Sequence, residues 1–285
     1  MPRIGSKNST MDIVRRHGIR AQKKYGQNFL TDEGVLDEIV EAAGVGKTDH
    51  VIEIGPGLGA LTERLAENAS HVTAIEIDEH MIPVLEETLA GFSNVRIICA
   101  DVLKTDMQEI AGMYPDENVK VVANLPYYIT TPIVMGLLES GIRYKSITVM
   151  VQTEVADRMQ TGPGSKDYGA LSLAVQYHSS PKIVTNVPPE SFFPRPGVGS
   201  SVIRLDLYDD PPVKADDPAF MFELIKASFM QRRKTLANAL QNNPQTHISR
   251  EKCEKALSEL GLDPMIRGEA LTLEQFAALS DLLGR

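Results

Sequence analysis

Apolar runs of strand length alternate with helical patterns from His50 to about Leu207, and that alternation leaves few folds open. The runs His50–Gly55, His71–Asp78, Val95–Asp101, Val119–Asn124 and Ser146–Gln152 are short and largely apolar, as expected of strands buried on both faces. Helical segments between them make βαβ units, whose strands must run parallel. A helical stretch, Gly169–His178, comes next. Two more strand candidates, Lys182–Val187 and Ser200–Leu207, follow it, joined by a Pro-rich loop. The expected fold is α/β, a doubly wound and mostly parallel sheet of seven strands with an antiparallel edge.

The first strand delivers Glu53-Ile54-Gly55-Pro56-Gly57-Leu58-Gly59 into a helix from Ala60 to Ala69. Glycines at that turn let the backbone approach a ligand at the carboxyl edge of the sheet. A dinucleotide fingerprint needs a further Gly at position 62, which is Thr62. The spacing instead suits a nucleoside ligand with no pyrophosphate to cradle. The second strand ends at Glu76-Ile77-Asp78, where a carboxylate can accept both hydroxyls of a ribose. The third ends at Ala100-Asp101-Val102, where a carboxylate can accept from an adenine amino group. One Gly-rich turn is weak evidence, but three consecutive strand ends with ligand-grade residues are strong evidence.

The fourth strand leads into Asn124-Leu125-Pro126-Tyr127. Taken alone, these letters also spell an ordinary polar turn. In company with the upstream motifs they suit the methylation of an exocyclic amine. The lone pair of such an amine is delocalised into its ring, so it is a poor nucleophile. The Asn124 side-chain oxygen and the Leu125 carbonyl can accept the amino hydrogens and steer the nitrogen towards sp³ geometry. Pro126 stiffens the turn and removes a competing donor. Tyr127 offers a face on which a base can stack.

The chain has 285 residues, enough for one large domain and a small one, and its 42% hydrophobic and 24% charged content is that of a soluble globular protein. Cys99 and Cys253 stand far apart without metal-ligand spacing, which argues against a disulfide framework or a zinc site and favours the cytoplasm. No apolar run is long enough to span a membrane, and the first residues lack a secretory apolar segment. The net charge of −9 argues against a nucleic-acid partner, yet its distribution does not. Arg3, Lys7, Arg15, Arg16, Arg20, Lys23 and Lys24 face Asp12 alone before Leu30, and Lys226, Arg232, Arg233 and Lys234 form a second basic cluster. Such patches fit phosphate contact, although a solvated face has the same composition. Residues before about Arg20 show no clear periodicity, so the segment 1–30 is expected to be partly flexible. Lys23 to Leu30 precedes a helix capped by Thr31 or Asp32. Phe29 and Leu30 there suit either a core or a contact with a nucleotide strand.

With these pieces assembled, the chain resembles the ribosomal RNA adenine N6-dimethyltransferase family over nearly its whole length. The motifs are Gln27-Asn28-Phe29-Leu30, Gly55-Pro56-Gly57-Leu58-Gly59, Asn124-Leu125-Pro126-Tyr127-Tyr128, Phe192-Phe193-Pro194-Arg195-Pro196 and Phe229-Met230-Gln231-Arg232-Arg233-Lys234, in that order. The resemblance implies a class I S-adenosylmethionine-dependent methyltransferase fold, Rossmann-like, with a small all-helical C-terminal domain. It implies S-adenosyl-L-methionine as cofactor, S-adenosyl-L-homocysteine as product, and no metal. By matching motif, Asn28 and Leu30 lie near the methionine end, Gly55 and Gly57 beneath the cofactor, Glu76 and Ile77 at the ribose, and Asp101 and Val102 at the adenine. Asn124 reaches the methyl group and, with Leu125, the target amine. Tyr127 and Phe192 are the aromatic pair around an extruded adenine, with Phe193 a less favoured substitute for Phe192. An amine within a stacked helix cannot reach a methyl donor, so extrusion fits the chemistry.

Within the family the chain is most similar to the small-subunit branch. That branch implies dimethylation of two adjacent adenosines near the 3′ end of small-subunit (16S) rRNA, within an assembling small ribosomal subunit. No coiled-coil seam or long apolar surface run appears, so a monomer is expected. The runner-up is the large-subunit antibiotic-resistance branch, which differs in target RNA and not in chemistry. An assembly factor with reduced or lost catalysis, and a DNA adenine methyltransferase, are the remaining alternatives. Gly197 and Gly199 depart from the family, where a basic and an acidic residue are common. The Pro-rich, acidic stretch Tyr208–Pro218 separates a catalytic domain over 31–208 from a helical one over 209–285. In the latter, Ala219–Leu240, Ser249–Gly261 and Thr272–Leu283 read as helices, with Arg232, Arg233 and Lys234 in the middle of the first. Some of these three are expected to pair with acids of the first domain, and the resemblance implies that the helical domain docks on ribosomal RNA.

Overall fold

The computed structural model describes residues 3–19, 22, 25–246 and 248–284. It opens with a helix, α1 (Lys7–Arg16), where no periodicity had suggested one. Ser6 caps it by accepting from the Ser9 amide at 3.2 Å, and Arg15 and Arg16 sit at the end that favours positive charge. Its inward face is narrow, only Thr10 and Ile13, with the Thr10 hydroxyl donating to the Ile4 carbonyl at 3.2 Å. So sparse a stripe carries little pattern in sequence. Arg20, Lys23 and Lys24 of the basic N-terminal run lie outside the described residues.

Beyond it come β1 (Phe29–Leu30), α2 (Glu33–Ala43), β2 (Asp49–Ile54), α3 (Ala60–Asn68), β3 (His71–Glu76), α4 (Ile82–Thr88), β4 (Val95–Cys99) and α5 (Met107–Ala111). The chain continues through β5 (Asn118–Asn124), α6 (Thr130–Glu139), β6 (Ser146–Gln152), α7 (Thr153–Gln160), α8 (Ala170–His178), β7 (Ser179–Val187), β8 (Phe192–Phe193) and β9 (Ser200–Leu207). Asp32, not Thr31, caps α2, its carboxylate accepting the amides of Gly34 and Val35. The seven-stranded sheet has the order β4-β3-β2-β5-β6-β9-β7. Its first five strands are parallel, and β9 runs antiparallel to β6. The order reverses beside β2, so β2 and β5 open a crevice at their carboxyl ends, where ligands of such sheets bind. A second sheet pairs β1 with β8, Phe29 opposite Phe193 and Leu30 opposite Phe192.

The chain divides into two compact units, Met1–Ala156 with Pro181–Leu207, and Asp157–Ser180 with Tyr208–Arg285. The sheet unit buries Leu36 and Ile39 of α2 and Leu65 of α3 against Val51, Val72, Val122 and Val202 of the strands. Each such aliphatic side chain contributes about 1.5–3 kcal/mol of burial free energy. Arg64, 2% exposed, is held by Asp37 at 2.9 Å and Glu63 at 3.2 Å.

The other unit holds α9 (Pro218–Met230), α10 (Leu236–Gln241), α11 (Arg250–Glu259) and α12 (Leu273–Leu283). Where the sequence suggested one catalytic domain over 31–208, the stretch 157–180 joins this helical unit. Tyr168, Leu173 and Tyr177 pack there with Met221, Leu224, Ile225 and Phe276, and the Tyr168 hydroxyl donates to the Leu271 carbonyl at 2.9 Å. The expected helix Ala219–Leu240 also divides, because Gln231 to Thr235 form a turn before α10 begins. Arg232 therefore does not lie in the middle of a helix. Its guanidinium donates to the Lys166 and Tyr168 carbonyls at 2.7 and 2.9 Å, and lies 3.6 Å from Glu269 and over the Phe229 ring. Its acidic partner belongs to its own unit. Arg233 and Lys234 are exposed.

Candidate active site

One cavity opens at the carboxyl ends of β2, β3 and β5 and beside the residues that follow β4. Asn28, Leu30, Gly55, Gly57, Glu76, Ile77, Asp101, Val102, Asn124, Leu125 and Tyr127 all line it. The strand register explains why residues scattered over a hundred positions meet. Each parallel strand ends at the same level, so Glu53, Glu76, Cys99 and Asn124 fall at or near one edge.

The floor is the turn after β2. Gly55 extends the ladder one step, its amide donating to Ile75 at 2.9 Å, and turns away with φ of 71°. Gly57, with φ of 59°, takes a backbone conformation that strains other residues, and a Cβ there would press on the Phe29 ring at 3.2 Å. Its amide instead donates to Glu76 Oε2 at 3.3 Å, while the Asp78 amide donates to Oε1 at 2.9 Å. These bonds aim a carboxylate that is 5% exposed into the cavity. Burial raises the Glu76 pKa, and the backbone donors counter it. Two oxygens keep lone pairs for further hydroxyl donors. Beside it Ile77 is 41% exposed, a large apolar side chain left open at a cavity wall, as a flat ring would need. Asp101 accepts the Leu103 amide at 3.1 Å through Oδ1 and pairs with Lys104 at 3.3 Å through Oδ2.

Beneath the floor lies Glu53, 1% exposed, with its Oε2 unpartnered. Burial pushes its carboxyl up to about 8, and the nearby Glu76 adds to the rise. Thr62 faces it and counters the rise in part, yet its hydroxyl makes no hydrogen bond of good geometry and is also orphaned. Two buried, unsatisfied polar atoms under a cavity are what a polar ligand group or a water would complete.

The opposite wall is the turn after β5. The Leu125 amide donates to Met150 at 3.1 Å, extending the sheet pairing, and among the described residues no donor reaches the Leu125 carbonyl. Asn124 Nδ2 donates to the Asn28 carbonyl at 3.1 Å. That bond sets the amide so that Oδ1, which accepts from no described residue, is the free end. Two acceptors on adjacent cavity-lining residues thus have no donor among the described residues. Tyr127 follows, half-buried, its hydroxyl 2.8 Å from Ser200 Oγ. Burial raises its pKa, and Ser200 partly counters that.

Phe192 is placed differently. It is 5% exposed, packed in the core with Leu30 and Val187, and neither it nor the half-buried Phe193 is among the described residues lining the cavity. Several participants were given no role by the sequence, although Gln27 and Tyr128 stand within its motifs. Gln22 and Gln27 both donate to Asp78 Oδ2, at 2.9 and 3.0 Å, which ties the N-terminal segment to the end of β3. Thr10 and Tyr128 also line the cavity. These contacts join distant segments, and only an aromatic beside Tyr127 could have hinted at one of them. Among the described residues no group of three or more His, Cys, Asp and Glu is placed to hold a metal ion.

The donor set fits an adenosine-containing thioether or sulfonium. Glu76 is aimed by backbone amides, apolar walls flank Asp101, and a glycine floor leaves backbone open to the ligand. The fold is that of the class I S-adenosylmethionine-dependent methyltransferases. A dimethyladenosine transferase from Plasmodium falciparum aligns with a TM-score of 0.73 at 26% identity, covering 88% of this chain and 95% of that one. The 23S rRNA methyltransferase ErmE aligns at 0.67 and 27%, covering 90% and 100%. The profile of the family described as ribosomal RNA adenine dimethylase matches residues 18–284. A ribosomal RNA small subunit methyltransferase A from Lachnoclostridium phytofermentans is 55% identical, over 99% of this chain and 98% of that protein. One of the same name from Bacillus licheniformis is 51% identical, over 96% and 95%. The chain belongs to the ribosomal RNA adenine dimethylase family and is, by that membership, an rRNA adenine dimethyltransferase.

Proposed function

We propose that this chain dimethylates the N6 amino groups of two adjacent adenosines near the 3′ end of small-subunit (16S) rRNA, within an assembling small subunit, using S-adenosyl-L-methionine. The observation that carries the chemistry is the pair of acceptors, Asn124 Oδ1 and the Leu125 carbonyl, without a donor among the described residues, in the cavity that Glu76 and Asp101 also line. The choice of small-subunit RNA rests on relatives of that name at 55% and 51% identity, against 27% for the 23S rRNA enzyme.

When bound, the cofactor supplies a methyl group on a cationic sulfur, already a good leaving group. The protein's part is positioning and electrostatics. Asn28 holds Asn124 so that its oxygen, and not its NH₂, meets the amine. Asn124 Oδ1 and the Leu125 carbonyl take the two amino hydrogens and turn the nitrogen lone pair towards the methyl donor. Asn124 is too weak a base to deprotonate the amine, so the proton leaves to solvent after transfer, from a cationic nitrogen. A monomethylated amine keeps one hydrogen, so the same acceptors serve the second round. The Tyr127 ring carries the extruded base. Phe192 closes the second face only if its ring turns out of its core contact with Leu30. Glu76 holds the ribose, Asp101 and Val102 the adenine, and Asn28 and Leu30 the methionine end. The enzyme acts as a cytoplasmic monomer, and its helical unit docks on the RNA.

The test is transfer of labelled methyl to undermethylated small subunits, run beside large subunits, free rRNAs and duplex DNA. The expected result is N6,N6-dimethyladenosine from small subunits. Label on large-subunit RNA or on DNA alone overturns the assignment.

A further inference from the structure

We propose that Ser200 is a positioning residue of the methyl-transfer site, holding the Tyr127 ring in the attitude that receives the base. The proposal rests on the reading of Tyr127 as the base-facing ring. The backbone that bears Tyr127 is well fixed. The Leu125 amide is committed to Met150, Pro126 holds φ at −61°, and the short 3₁₀ turn Tyr127–Ile129 follows. None of this fixes the side chain. A half-buried ring on a cavity wall retains two rotatable bonds, and a stacking platform that swings loses the benefit of orientation.

One contact supplies what is missing, the 2.8 Å hydrogen bond between the Tyr127 hydroxyl and Ser200 Oγ. Ser200 suits this use because it cannot move. It is 1% exposed, is the first residue of β9, and pairs with Gln152 at the end of β6. Its neighbours are fastened independently. Ser201 Oγ bonds Thr153 Oγ1 at 3.0 Å and Asn186 Oδ1 at 2.7 Å, and the Thr153 amide donates to the Gly199 carbonyl at 3.2 Å. The phenol hydroxyl is therefore committed to the protein, and Tyr127 meets substrate through its face. The anchor uses the backbone of residue 199 and does not require glycine there. Its φ is not left-handed, and a Cβ there would be 3.6 Å from Thr153 Oγ1 and 3.7 Å from the Val187 carbonyl, ordinary contact distances.

The experiment is a double-mutant cycle on the full chain with undermethylated small subunits as acceptor. Kinetics are measured for Y127F, S200A, the double variant and Y127A, with S-adenosyl-L-homocysteine affinity measured by calorimetry for each. Y127F and S200A each lower kcat about 3- to 10-fold, the effect of losing one neutral hydrogen bond, while affinity for the cofactor product is unchanged. The double variant is no worse than either single one, because both remove the same bond. Y127A is far worse than Y127F. Multiplying effects of S200A and Y127F, or a silent Y127F beside an impaired S200A, overturn the positioning role. An impaired Y127A with S200A unaffected overturns it too, yet leaves Tyr127 as the base-facing ring. Unchanged kinetics in Y127A overturn both readings at once.

Discussion

Replacing Glu53 with glutamine should remove a large part of the stability this protein loses between about pH 5.5 and about pH 8.5. Glu53, next to last in β2, lies under the cavity floor with 1% of its surface exposed, and its carboxyl is raised from 4.5 to about 8. The folded state thus binds this proton more tightly than the unfolded chain does. The associated stability is fully present below about pH 4.5 and is lost as pH rises to about 8. At about 1.4 kcal/mol for each tenfold change in proton affinity, the whole effect is roughly 5 kcal/mol. About 3 kcal/mol of it falls between about pH 5.5 and about pH 8.5. Glutamine has the same shape and no titration. Urea unfolding across that interval, with the denaturant slope held common, should show the parent losing about 3 kcal/mol more than E53Q. Parallel stability profiles for the two would refute the reasoning, since Glu53 would then be ionised in the fold.

Two further outcomes follow from the same structure. His50 is 0% exposed, its Nε2 lies 2.8 Å from Thr73 Oγ1, and burial lowers its pKa to about 4, so stability is lost as pH falls from about 6.5 to about 4. H50Q should flatten that acid limb in thermal unfolding, and an unchanged limb would assign it elsewhere. In G57A a Cβ must occupy a left-handed φ of 59° and press on Phe29 at 3.2 Å, disturbing the amide that holds Glu76. Left-handed strain of about 1–2 kcal/mol should lower the unfolding free energy by that amount in urea, and unchanged stability would show that the floor yields.

What sequence made legible was whatever is local. The buried strands declared themselves as apolar runs, and Glu53, Glu76, Asp101 and Asn124 could be placed at their ends because parallel strands finish together. Contacts that cross the chain left no trace in it. The β1–β8 pair joins Phe29 to Phe193, Asn28 turns the amide of Asn124, and Ser200 holds Tyr127 over a separation of 73 residues. The break at Gln231–Thr235 was hidden because Leu236 and Leu240 continue the apolar spacing of α9. What ends that helix is Arg232, which turns to the carbonyls of Lys166 and Tyr168. Helix α1 was missed for the opposite reason, a short polar segment whose burial depends on partners far along the sequence, Phe29, Leu58 and Met81.

The central claim is a division of labour within one cavity, Glu76 holding the cofactor and Asn124 presenting the amine. The most direct test pairs S-adenosyl-L-homocysteine calorimetry with methyl transfer for E76A and N124A. E76A should lose most of its affinity for the cofactor product. N124A should keep parental affinity and lose transfer by about 10³-fold, a loss typical of a positioned acceptor in a reacting site. Parental transfer by N124A, or equal loss of cofactor affinity in both variants, would contradict it.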